Sequence, residues 1–164
     1  MYVSLWDHNP PKSKGIDIYE MDKETGALKY IKMVHDDIAF NMSKIDSDKG
    51  FLYILNETEH VPDVGYSSGR LYGFDLDKET GDITERFHIA TGCRSPDYLD
   101  FSDDGKYLVV SHHSCPERVT KFKKNAEGKW IPTPVINDSA LQLYAMNADG
   151  SIGELLDVVD LEPA

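Results

Sequence analysis

An all-β fold made of repeated four-stranded antiparallel units is predicted by three observations. The peptide Asp22-Lys-Glu-Thr-Gly26 recurs letter for letter as Asp77-Lys-Glu-Thr-Gly81. Short runs of alternating apolar residues flank each copy, and almost nothing in the chain has the period of an amphipathic helix. A second unit, Ile45-Asp-Ser-Asp-Lys-Gly-Phe-Leu-Tyr-Ile-Leu55, aligns without a gap on Phe101-Ser-Asp-Asp-Gly-Lys-Tyr-Leu-Val-Val-Ser111. Residue 45 pairs with 101, an offset of 56 against 55 for the first unit, so both belong to one larger period of four strands.

The first copy of the repeat reads Ile16-Asp-Ile-Tyr-Glu-Met21, turn, Ala27-Leu-Lys-Tyr-Ile-Lys-Met-Val34. The second reads Leu71-Tyr-Gly-Phe-Asp-Leu76, turn, Asp82-Ile-Thr-Glu-Arg-Phe-His-Ile89. A degraded third copy, Leu141-Gln-Leu-Tyr-Ala-Met-Asn-Ala-Asp-Gly-Ser-Ile152, keeps the alternation and the Asp-Gly turn. With the second unit interleaved, strands fall at 2–6, 16–21 and 27–34, then 39–45, 51–56, 70–76 and 82–89, then 97–101, 107–113, 141–146 and 151–159. Four antiparallel strands per period of about 55 residues describe the blades of a β-propeller with extended loops. The blades span 1–38, lacking one strand, 39–90, and 91–164. Residues 114–140 interrupt the third blade with an extra hairpin turning at Asn125 to Gly128, either a surface elaboration or a flap over a site or contact. This is an incomplete ring of about three blades, and a propeller needs at least four. The chain therefore reads as the N-terminal part of a larger protein, whose open blade edges invite self-association.

Composition narrows the function classes. The 164 residues carry 29 acidic against 17 basic side chains, a net charge of -12, which opposes nucleic acid and anionic membrane as partners. No apolar run approaches the roughly 20 residues of a spanning helix. Without a signal-like stretch after Met1, a cytoplasmic location is expected. Cys93 and Cys115 have no zinc spacing and suit reduced thiols. The acidic turns lack the ligand pattern of a calcium loop and read as structural.

In an up-and-down blade, first-to-second and third-to-fourth connections share one face, and the remaining connections share the other. The first face collects the repeated acidic turns. The second collects unrepeated loops holding His8, His35, Asn56, Glu57, His60, Arg94, His112 and His113. A scaffold carrying one site would show this contrast. Substrate-binding candidates are His8, Asn56, Glu57, Arg94, His112 and His113, with Lys12, Lys14 and Arg70 as more remote cations. His112 and His113 point to opposite sides of a strand, so one of them at most faces the channel. Arg94 suits a carboxylate or phosphate, or neutralises nearby acid. No histidine spacing supports a metal, and no nucleophile elbow, P-loop or dinucleotide fingerprint is present.

The order of Gly15-Ile-Asp-Ile-Tyr19, Asp22-Lys-Glu-Thr-Gly-Ala-Leu28, Phe101-Ser-Asp-Asp-Gly-Lys-Tyr-Leu-Val-Val110 and Leu143-Tyr-Ala-Met-Asn-Ala-Asp-Gly-Ser-Ile-Gly153 resembles the seven-bladed lactonase family. That family includes propeller-type 6-phosphogluconolactonases and 3-carboxy-cis,cis-muconate lactonising enzymes. The resemblance covers somewhat under half of a family member. It implies ring-opening hydrolysis of a sugar-acid lactone, or the related lactone-forming cyclisation, without metal or organic cofactor. The family's His-Pro-His segment and catalytic Glu have no counterpart here, and Ser4-Leu-Trp-Asp-His8 replaces its usual Gly-Thr-Tyr start. Catalytic residues are therefore left unassigned, and the isolated chain is expected to be inactive. The alternative class is a non-catalytic propeller that binds a ligand or protein.

Overall fold

The computed structural model describes residues 1–4, 15–57, 68–93, 95–113, 118–136 and 139–161. Strands β1 (Tyr2–Ser4), β2 (Ile16–Met21) and β3 (Leu28–Val34) form a three-stranded sheet in that order. Strands β4 (Met42–Asp46), β5 (Phe51–Asn56), β6 (Arg70–Leu76) and β7 (Ile83–Ala90) form the second sheet. In the third sheet the order is β8 (Pro96–Phe101), β9 (Tyr107–His112), β12 (Ser139–Met146) and β13 (Ile152–Leu161). A separate hairpin, β10 (Arg118–Lys124) with β11 (Trp130–Ile136), lies between β9 and β12 in the chain. All pairings are antiparallel, and the three larger sheets are blades of a β-propeller.

The repeated turn forms because one carboxylate satisfies the backbone that reverses there. Asp77 Oδ1 accepts from the amides of Glu79 (2.8 Å) and Thr80 (3.1 Å), and Asp22 Oδ1 accepts from those of Glu24 (2.9 Å) and Thr25 (2.8 Å). Gly26 and Gly81 close the turns at φ 72° and 73°, a conformation open to glycine at little cost. The strand expected over 39–45 instead begins at Met42. There the Asn56 carboxamide donates to the Ala39 carbonyl, and the Asn41 amide bonds Leu55 (3.2 Å), so the chain bends before joining the ladder.

The core is two apolar layers, one on each side of the second sheet. Phe51 to Leu55 are all buried because alternate side chains enter different layers. Leu52 and Ile54 join Ile16, Ile38, Phe40, Tyr72, Phe74 and Ile83 against the first sheet. Phe51, Tyr53 and Leu55 join Leu71, Leu99, Leu108, Val110 and Tyr144 against the third.

Each seam is also latched at two polar points. The Tyr2 hydroxyl donates to the Gly81 carbonyl (2.8 Å), and Lys32 on β3 pairs with Asp82 in the same turn. At the next seam the Tyr53 hydroxyl donates to the Gly150 carbonyl (2.7 Å), and Arg86 on β7 reaches the Asp149 carboxylate (3.6 Å) and carbonyl (3.2 Å). Tyr2 faces Ile18 and Tyr53 faces Gly73, equivalent ladder positions in the two blades. Burial pushes both phenols above the ordinary tyrosine range, so they remain hydrogen-bond donors. Toward the middle, Lys44 on β4 pairs with Asp100 on β8, joining the innermost strands.

Candidate ligand site on the loop face

The connection Thr91 to Cys93, where the chain passes from the second blade to the third, is a rigid platform. Thr91 Oγ1 donates to the Cys93 carbonyl (2.8 Å), Gly92 N to Ser68 Oγ (2.9 Å), and Gly69 N to the Cys93 carbonyl (2.8 Å). From the third blade, Gln142 Nε2 donates to the Thr91 carbonyl (2.7 Å) and lies 3.2 Å from Cys93 Sγ. Gln142 Oε1 accepts from the Tyr144 hydroxyl (2.8 Å) and stands 3.1 Å from His112 Nε2. His112 is 2% exposed, and this network places it between blades. Its polar groups are matched internally, as burial demands.

Beside that platform three side chains from three elements converge. Glu57 follows β5, and its carboxylate is largely buried, 12% exposed. Asn41, at the entry to β4, donates from Nδ2 to Glu57 Oε1 (2.9 Å) and to the Pro96 carbonyl (2.8 Å). His113, just past β9, brings Nε2 to 3.5 Å from Glu57 Oε1, with its side chain 46% exposed. The His113 amide bonds the Ser95 carbonyl (3.2 Å), and Ser95 sits at φ 53°. A largely buried carboxylate held by an amide and edged by a solvent-open imidazole can accept ligand hydroxyls and hold a water for proton transfer.

Asn56 precedes Glu57 and points to the other side of the strand, toward the first blade. Its Oδ1 is a buried acceptor, the single buried side-chain nitrogen or oxygen without a partner among the described residues. Leaving such an atom unmatched costs about 1–3 kcal/mol. A donor hydroxyl from a ligand or water would remove that cost.

Of the sequence candidates, Glu57 and His113 therefore meet, Asn56 lies next to them on the opposite strand face, and His112 is turned into the seam. His8 and Arg94 lie outside the described residues, as do Lys12, Lys14, His60 and Cys115. His35, at φ 48°, packs its ring on Phe74 (4.9 Å between centroids) and so serves the first seam. Arg70 opens β6, and its side chain hydrogen-bonds Tyr72. Sequence reasoning missed Asn41 and Gln142. Asn41 belongs to no repeated peptide, Gln142 replaces an alternating strand residue in the degraded third copy, and the partners they reach in other segments lie 16 and 30 or more residues away. Among the described residues no group of three or more His, Cys, Asp and Glu side chains converges as a metal site would require.

Stacked antiparallel blades with a polar cluster on the unrepeated loop face define this protein as a β-propeller. The profile of the family described as Lactonase, 7-bladed beta-propeller matches residues 1–163, and the chain belongs to that family. Among curated proteins it is similar to the 6-phosphogluconolactonase of Formosa agariphila, at 22% identity over 129 residues, covering 79% of this chain and 35% of that protein. Among solved structures it is similar to the periplasmic gluconolactonase PpgL of Pseudomonas aeruginosa, with a TM-score of 0.67 and 20% identity, covering 96% of this chain and 37% of that one. The chain thus spans little more than a third of each of these relatives. At this identity the structural likeness speaks for the fold alone.

Proposed function

We propose that this chain supplies part of the ligand-holding rim of a propeller that acts on a sugar-acid lactone, with Glu57, Asn41 and His113 facing the ligand. The observation that carries the reading is the largely buried Glu57 carboxylate held by Asn41 and flanked by His113 in a lactonase-family fold. Lactone hydrolysis calls for a base to activate water, donors for the developing oxyanion and anchors for the sugar hydroxyls. Glu57 and His113 suit the first and third tasks. Among the described residues the cluster holds no lysine or arginine for the second, so turnover is assigned to groups outside it, and the purified chain is expected to bind without hydrolysing.

Calorimetry with gluconate, the stable ring-opened acid, tests the binding. Glu57→Gln removes the charge from hydrogen bonds worth about 1.5–3 kcal/mol and should weaken gluconate at least tenfold. Equal affinity in the variant would remove Glu57 from the site. Hydrolysis of 6-phosphogluconolactone well above the spontaneous rate by the purified chain would overturn the assignment of turnover elsewhere.

A further inference from the structure

The β10–β11 hairpin leaves the third blade immediately after the site residue His113 and rejoins it at Ser139. An isolated two-stranded hairpin is marginal in water, so its position depends on what it rests against. Among the described residues, two contacts hold it. Gly92 in the seam platform, at φ 70°, lies under the Phe122 ring so closely that a Cβ built there would stand 2.0 Å from Cε2. Lys123 pairs with Asp160 on β13 (3.4 Å). The hairpin is therefore held between the outer strand of the third blade and the platform whose other edge, through Ser95, holds the His113 backbone. Pro132 and Pro134 on β11 offer no N–H to extend the ladder, so this element is suited to docking by its side chains rather than to pairing with another strand.

We propose that the β10–β11 hairpin is a fixed wall of the Glu57–His113 site and that Phe122 is the positioning residue that sets it there. This rests on the ligand reading above and adds to it the element that decides how a ligand is enclosed. Phe122 touches no reacting atom. It presses the hairpin onto Gly92, and the same platform sets where His113 stands opposite Glu57.

The test uses the full chain, with Phe122→Ala, the conservative Phe122→Leu and Glu57→Gln. Hydrogen exchange by mass spectrometry, without ligand, reads the segments holding Gly92 and His113, with β5 as an internal reference. Gluconate titration reads the site. The expected result for Phe122→Ala is exchange at least tenfold faster around Gly92 and His113 with β5 unchanged, and gluconate affinity lowered five- to tenfold. Phe122→Leu should restore most of both. Unchanged exchange at Gly92 and His113 overturns the proposal, and so does equal acceleration of β5, which would mark a general loss of packing. Undiminished gluconate affinity in Phe122→Ala, where Glu57→Gln loses it, also overturns it while leaving the ligand reading intact. If Glu57→Gln binds gluconate normally, the ligand reading falls and the exchange data alone decide whether Phe122 positions the hairpin.

Discussion

Tyr53→Phe removes one oxygen and leaves the Gly150 carbonyl buried without its donor. The expected loss is about 1–2 kcal/mol in thermal unfolding, above the net worth of an average hydrogen bond because the acceptor has no access to water. Gln142→Ala should cost more, about 3 kcal/mol, since it removes the one amide that bonds the Thr91 carbonyl, the Tyr144 hydroxyl and the His112 imidazole together. A denaturant midpoint within error of wild type would show that water replaces the amide. These roles were illegible in the sequence. A tyrosine in an apolar strand reads as core, and its hydroxyl partner lies 97 residues away. His112 and His113 show the same limit: strand alternation separates them, but only packing decides which one enters the seam.

At the scale of elements, strands and turns were legible because their causes are local. Asp77, Thr80 and Gly81 satisfy one another within five residues, so the peptide specifies the turn wherever it occurs. The turn carboxylates also set a pH dependence. Hydrogen bonds from the amides of Thr25 and Thr80 hold Asp22 and Asp77 below the usual carboxylate range, and the hydrogen bond from Lys106 brings Asp104 to about 2. Groups with depressed pKa values stabilise the fold above their unfolded value near 4 and lose that contribution as pH falls through the folded value. The midpoint in urea should therefore hold steady from pH 7 to about 5 and decline between about pH 4 and 2. Asn at both Asp22 and Asp77 should flatten part of that decline. What the elements did not disclose was the entry to β4, where one side-chain hydrogen bond from Asn56 displaces the strand start by three residues.

For the whole molecule, the uncovered face of the third blade has the largest consequence. Ladder partners share a face, so Val109, Leu143 and Asp157 stand together, as do Leu141 and Val159. Tyr98, Tyr107, Val109, Val159 and Leu161 are between 38% and 51% exposed. The equivalent face of the second blade is buried in a seam. An apolar sheet surface of this kind drives association. Light scattering of the purified chain should show mass rising with concentration, and Val109→Asp with Leu143→Asp should suppress the rise. A monomer across the accessible range would refute this. The blade count and the sorting of loops into a repeated and an unrepeated face were readable from spacing alone. Of the candidate cluster, Glu57 and His113 were nominated by face, whereas Asn41 becomes visible only when β4 and β8 are side by side.

The polar latch between blades gives the architecture a grammar. Each of the two seams joins a hydroxyl and a cation on one blade to a glycine carbonyl and an aspartate on the next. Tyr2 and Lys32 thus present what Gly150 and Asp149 accept, although the native chain never brings them together. A shortened chain running from the first blade straight into the third would keep a matched junction. Duplication of the second blade would do the same. Lengthening or shortening by whole units is therefore a change this sequence can absorb, whereas Val109, in place of a tyrosine, marks the third blade as a point where the grammar alters.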